Sequence, residues 1–169
     1  TNYVRVLPPI ARFTPVPNCT NRLEFSFTDQ SIAPLTWEWN FGDGSPVSTI
    51  QNPTHIFPSY GNFTIQLIVT NGGCADTIQQ TIRTVDESPD FNANILSACK
   101  IATIDFTATN ITAANIASYF WDFGDGSTIS TTSLVINHIY LNSGTYAVTL
   151  TTTDINGCID VVTKNNYIR

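Results

Sequence analysis

Trp39-Asn40-Phe41-Gly42-Asp43-Gly44 is followed, further along the chain, by Trp121-Asp122-Phe123-Gly124-Asp125-Gly126. The reading of this pair decides the fold. An aromatic at every second position marks one buried face of a strand, and Gly-Asp-Gly ends that strand in a turn. Glycine supplies positive φ, and an aspartate beside it bonds nearby backbone amides to fix the turn. Gly42, Asp43 and Gly44, with Gly124, Asp125 and Gly126, are therefore expected to be turn-makers, and Trp39 and Trp121 core anchors. The two tryptophans lie 82 residues apart, and His55 and His138 lie 83 apart. Cys19 returns as Cys99 after 80 residues and Cys74 as Cys158 after 84. So steady an offset means two copies of one folding unit of roughly 80 residues.

Working outward, alternation with period two runs through residues 23–28, 36–41, 61–69 and 77–82. It returns in residues 104–108, 118–123, 144–152 and 160–167, and residues 111–117 read as a loop. Short strands with Gly, Pro and Asn punctuation and a buried Trp in each copy predict an all-β chain. The expected architecture is two tandem immunoglobulin-like antiparallel β-sandwiches. Domain boundaries fall at 9–85 and 86–169. Val4-Arg5 precedes Phe13 by the same eight residues as Ile82-Arg83 precedes Phe91, so residues 1–8 read as the last strand of a preceding repeat or as a leader. Residues 86–90, with one proline and three acids, form a connector of at most roughly 17 Å that is expected to be semi-rigid.

Charged residues make up only 12% of the chain and the net charge is −6. Nucleic acid is excluded as a partner, because phosphate binding needs clustered Lys and Arg. No stretch reaches the ~20 apolar residues of a membrane span. The four cysteines fall two per copy at matching places. Pairing Cys19 with Cys74 and Cys99 with Cys158 would give each unit one disulfide, each worth about 4 kcal/mol on the chain-entropy model. A zinc site is the weaker alternative, since no C-x₂-C pair is present. Disulfides imply an oxidising, extracytoplasmic compartment.

His55 and His138 each stand two residues before an aromatic at equivalent positions, and are read as structural hydrogen-bonding side chains. An aspartate in a glycine turn could also bind Ca²⁺, but a calcium loop offers several oxygens close together, so no metal and no cofactor is expected. Trp37 shares the face of Trp39 and is replaced by Tyr119 in the second copy, which makes it the candidate for ligand contact. No G-x-S-x-G, H-E-x-x-H or P-loop pattern occurs, and no enzymatic activity is expected.

Tyr119-x-Trp121-Asp122-Phe123-Gly124-Asp125-Gly126, Asn137-His138-Ile139-Tyr140 and Gly144-Thr145-Tyr146-x-Val148-x-Leu150 together resemble the polycystic kidney disease (PKD) repeat. The first copy follows with Trp37, Asn40, Phe57 and Phe63 in place of Tyr119, Asp122, Tyr140 and Tyr146. The cysteines resemble a variety found in secreted multi-module proteins of the Bacteroidetes. Such a resemblance implies non-catalytic spacer and interaction modules of a long cell-surface protein, an adhesin or filament, gliding-associated arrays among them. The alternative it implies is an accessory binding or spacer segment of a secreted polysaccharide hydrolase or protease. Expected partners are neighbouring repeats of the same chain, a surface polysaccharide or protein, and further copies through self-assembly.

Overall fold

The computed structural model describes residues 7–98 and 101–169. The chain forms two compact units, Thr1–Asp86 and Glu87–Arg169. The expected strand or leader at the N-terminus falls mostly on residues 1–6, outside the described residues.

In the first unit the strands are β1 (Phe13–Pro17), β2 (Glu24–Asp29), β3 (Thr36–Asn40), β4 (Thr54–Ile56), β5 (Gly61–Asn71) and β6 (Cys74–Thr84). One sheet has the order β1-β2-β4, the other β3-β5-β6, with every pairing antiparallel. Alternation is clearest in β5, where Ile65, Leu67 and Val69 are fully buried while Thr64, Gln66 and Ile68 point the other way. Gly72 (φ 55°) and Gly73 (φ 91°) join β5 to β6 through two consecutive left-handed residues, the conformation of a type I′ hairpin turn. Between the sheets Trp39 packs edge-on to Phe13, with centroids 5.1 Å apart at 74°, and both are buried with Phe25, Phe27, Phe41 and Phe57. Burying one such ring stabilises the fold by roughly 2–3 kcal/mol.

The second unit repeats the plan with β7 (Asp90–Ala93), β8 (Thr103–Thr109), β9 (Ile116–Asp122), β10 (Thr128–Thr131), β11 (Val135–Ile139), β12 (Tyr146–Asp154) and β13 (Ile159–Ile168). Its sheets are β11-β8-β7 and β10-β9-β12-β13. Trp121 again packs edge-on to a phenylalanine, Phe91, at 5.2 Å and 78°. The loop before β9 closes into a single 3₁₀ turn at Ala113–Asn115. Strand β10 is an addition. In the first unit the corresponding segment makes only an isolated bridge from Ser48 to Trp39.

The cysteine pairing needs correction. Cys74 is a free, half-buried thiol, whereas Cys19 and Cys158 are disulfide-bonded, so Cys19 does not pair with Cys74. Topology gives the reason. The Ala11 amide donates to Asp76 Oδ2 (2.8 Å) and Gln80 Nε2 donates to the Phe13 carbonyl (3.0 Å), so β1 and β6 run in the same direction. Cys74 opens β6, beside the start of β1. Cys19 follows β1, close to Arg22, whose Nε lies 3.7 Å from Asp86 beyond the end of β6. The length of an 11-residue strand, roughly 35 Å, separates the two ends. Cys158 likewise precedes β13, whereas the Ala98 amide donates to the Arg169 carbonyl just past that strand's end (3.1 Å). Cys99 itself lies outside the described residues.

The expected connector is largely absorbed. Asp86 accepts from Tyr60 Oη (3.2 Å) within the first unit. Glu87 is buried within the second, where its Oε2 accepts from the Thr112 amide (2.8 Å) and its Oε1 from Asn115 Nδ2 (2.5 Å). The Ser88 carbonyl accepts from Asn110 Nδ2 (2.6 Å), and Asp90 pairs with Lys164 (2.9 Å).

Candidate functional site: the repeated Asp–His turn

Where β3 ends, Phe41 turns inward and the chain reverses through Gly42 (φ 75°) and Gly44 (φ 83°). Asn40 Oδ1 accepts from the Gly42 amide (2.9 Å), and Asp43 Oδ1 accepts from both the amide (3.0 Å) and hydroxyl (2.6 Å) of Ser45. The second oxygen, Oδ2, lies 2.6 Å from His55 Nε2. His55 belongs to β4, in the opposite sheet, and pairs there with Phe25. The Asp43–His55 contact therefore ties the two sheets together across one side of the sandwich. The imidazole also stacks flat on Phe41, 4.0 Å between centroids at 6°, and meets Phe57 edge-on at 4.8 Å.

Burial would raise the Asp43 pKa, but the bonds from Ser45 and His55 outweigh it and hold the carboxyl down at about 2. With its side chain only 4% exposed and both oxygens engaged, Asp43 is an internal clamp.

The second unit rebuilds the arrangement. Asp122 Oδ1 accepts from the Gly124 amide (2.9 Å), Asp125 Oδ1 from the Ser127 amide (2.9 Å), and Asp125 Oδ2 lies 2.8 Å from His138 Nε2. His138 stacks on Phe123 at 4.0 Å and 4°. Burial is again outweighed by bonds from His138 and Ser127, and Asp125 sits below the ordinary carboxylate range. The Asn40/Asp122 exchange is neutral in geometry, because each supplies one side-chain oxygen to the same glycine amide. The Phe57/Tyr140 exchange is not: Tyr140 Oη donates to the Phe123 carbonyl (3.0 Å), a bond Phe57 cannot make.

Gly42 and Gly124 have a second constraint. A Cβ at Gly42 would collide with the carbonyl oxygen of Thr64 on β5, and one at Gly124 with that of Ala147 on β12. The turn thus lies directly against the neighbouring strand, and only glycine admits that approach.

Trp39 and Trp121 are both fully buried. The indole N–H of Trp39 donates to the Ile50 carbonyl (2.9 Å), whereas that of Trp121 has no partner among the described residues. Trp37 is half-buried against the core of the first unit, and its N–H donates to Asp29 Oδ2 (2.8 Å). Tyr119, at the equivalent place, is buried.

Sequence reasoning singled out Asp43 and His55 separately and missed that they meet. The signal was available: both residue types recur together in both copies. The roles of Asp29 and Glu87 were missed for a better reason, since each sits in a polar stretch whose composition reads as solvent-facing.

The sequence profile of the family described as “PKD domain” matches residues 7–85 and again residues 87–169. Human polycystin-1 is 30% identical over 119 residues, covering 69% of this chain and 3% of that protein. Collagenase ColA of Bacillus cereus is 38% identical over 55 residues, covering 32% of this chain and 6% of that protein. Among solved structures, the PKD1 domain of the Vibrio cholerae metalloprotease PrtV is 29% identical and covers 46% of this chain and 98% of that one, with a TM-score of 0.42. The chain thus spans only a few per cent of the length of polycystin-1 and of collagenase ColA. No helix among the described residues is long and apolar enough to cross a membrane.

Proposed function

We propose, starting from the fact that this chain belongs to the PKD domain family, that its two units are non-catalytic spacer and interaction modules of a long secreted cell-surface protein, an adhesin or filament. One observation carries this reading. The most distinctive polar groups of the repeated motif point into the fold: Asp43 and His55, like Asp125 and His138, are used up in joining one sheet to the other. The motif invests its chemistry in the integrity of each unit, and repeating such a unit extends reach. The docking of Asp86 into one unit and Glu87 into the next supports the same reading, because little chain is left between them as a free tether. Disulfide-bonded Cys19 and Cys158 support an oxidising, extracellular setting.

The test is to purify the native parent protein and image it by electron microscopy. A long thread of beaded modules is expected. A compact protein in which a globular catalytic head carries a short two-bead arm would sink the spacer reading. It would favour an accessory segment of a secreted hydrolase or protease, which the likeness to a collagenase and a metalloprotease module supports. In that case retention on insoluble polysaccharide or collagen, and its loss in Trp37→Ala, becomes the deciding assay.

A further inference from the structure

Strand β10 stands last in its sheet, in the order β10-β9-β12-β13, so one of its sides meets β9 and the other meets no strand. The register tells which backbone groups face outward. The Phe123 amide donates to the Ser127 carbonyl (3.1 Å), and pairing continues as Thr128↔Asp122, Ile129↔Trp121, Ser130↔Phe120 and Thr131↔Tyr119. Hydrogen-bonded pairs alternate with non-bonded ones in an antiparallel ladder, so Ile129 and Thr131 bond towards β9. The N–H and C=O groups of Thr128 and Ser130 point the other way and have no backbone partner among the described residues.

An open edge of this kind is normally blocked, and several other edges of this chain are. β1 carries Pro15 and Pro17. β6 is tied to the chain at β1 through the side chains of Asp76 and Gln80, and β13 spends Lys164 on the Phe91 carbonyl. The segment of the first unit that corresponds to β10 carries Pro46 and makes only the bridge between Ser48 and Trp39. β11 is also an edge, but one of its carbonyls, that of Val135, is already taken by Ser133 Oγ (2.8 Å). β10 has no such device. From residue 126 to residue 137 the chain has neither a charged side chain nor a proline. Thr128, Ile129 and Ser130 are all exposed, Ile129 to 38%.

We infer that β10 is a self-association edge, which pairs antiparallel with β10 of a second copy of this chain about a two-fold axis at Ile129. The register selects that partner. With Ile129 opposite its own counterpart, Thr128 faces Ser130 of the second copy and Ser130 faces its Thr128. Both pairs are of the hydrogen-bonded kind, so four hydrogen bonds across the axis satisfy every outward group of the two strands. The two Ile129 side chains meet in the non-bonded pair between them, with Cβ atoms about 5 Å apart, and cover each other's exposed surface. Two four-stranded sheets become one of eight strands. This goes beyond the spacer reading, which would stand without it. The contact is short, so alone it belongs to the weak, transient class, with a dissociation constant of about 0.1 mM. Chains anchored beside one another would strengthen it through effective concentration.

The test uses the whole chain carrying Cys74→Ser, which removes a free thiol. Sedimentation equilibrium is run from about 10 µM to about 1 mM, and amide exchange at Thr128 and Ser130 is followed by NMR over the same range. At the upper end the dimer should hold about four-fifths of the chain, and exchange at those two amides should have slowed about fourfold. Amides of β13, on the opposite edge of the same sheet, should not change. Ser130→Pro removes an outward donor and no bond to β9, a position where proline is tolerated. It should stay monomeric throughout, with the tryptophan fluorescence and urea midpoint of the parent. Ser130→Lys keeps the amide but guards the edge with a charge, and should weaken the dimer about tenfold whether or not the proline variant folds. A parent chain that stays monomeric at about 1 mM overturns the inference. So does a dimer that a folded variant leaves unchanged, or one that protects amides of β11 in place of β10.

Discussion

At Gly42 two demands coincide, a left-handed backbone and the approach of Thr64 on β5, while Gly44, at nearly the same φ, faces open space. The pair therefore separates conformation from contact. Gly44→Ala is expected to cost about 1 kcal/mol through backbone strain alone. Gly42→Ala should cost about 3 kcal/mol or more, since either the turn or the strand must also give way. Urea unfolding followed by tryptophan fluorescence measures both, and equal losses would show that the close approach does not matter. Asp43 carries a prediction of different form. Its folded pKa of about 2 lies below the ordinary 3.8, so the carboxylate contributes stability that is fully present above pH 4. That contribution, about 2 kcal/mol, is lost as the pH falls through about 2. Asp43→Asn should thus be less stable than the parent at pH 6, with the gap closing between pH 4 and 2. A gap that stays constant with pH would assign the loss to hydrogen-bond geometry and not to charge.

Among the elements, the central strands were legible and the peripheral ones were not. β5 and β12 alternate over nine residues or more, with one face buried and the other turned away. β1, absent from the alternating segments, carries Pro15 and Pro17. It survives as a strand because it pairs only with β2, on an edge where missing amide donors cost no ladder bonds. β4, three residues long, offers too little pattern to read, yet it delivers His55 to the motif. The cysteine pairing failed for a topological reason, because spacing within a repeat says nothing about which end of a sandwich a residue reaches. Glu87 failed through composition: an acid beside Ser-Pro-Asp suggests a solvated tether, whereas this one is buried and organises the 3₁₀ turn. Glu87→Ala would leave the Thr112 amide and Asn115 Nδ2 without their acceptor, at an expected cost of about 2–3 kcal/mol. The loss should fall on the second unit alone, with faster amide exchange at Thr112. Unchanged protection there would mean that the turn holds without the glutamate.

At the scale of the whole chain, each unit buries its own aromatic cluster. Trp39, Phe13 and Phe27 belong wholly to the first, and Trp121, Phe91 and Phe106 wholly to the second. The polar groups on either side of the Asp86–Glu87 peptide divide in the same way. A cut at that peptide should therefore leave two folded fragments, residues 7–86 and 87–169. Each should unfold cooperatively at a urea midpoint close to its counterpart in the intact chain, provided the cysteines are kept reduced in all three samples so that only the cores are compared. Moving the cut by one residue supplies the control. A fragment beginning at Ser88 lacks the Glu87 carboxylate and should show the same loss of about 2–3 kcal/mol as the point variant. Should the fragment from Glu87 fail to fold while the intact chain does, the second core would depend on the first. The units would then be one cooperative body, and a spacer assembled from interchangeable modules would lose its physical basis.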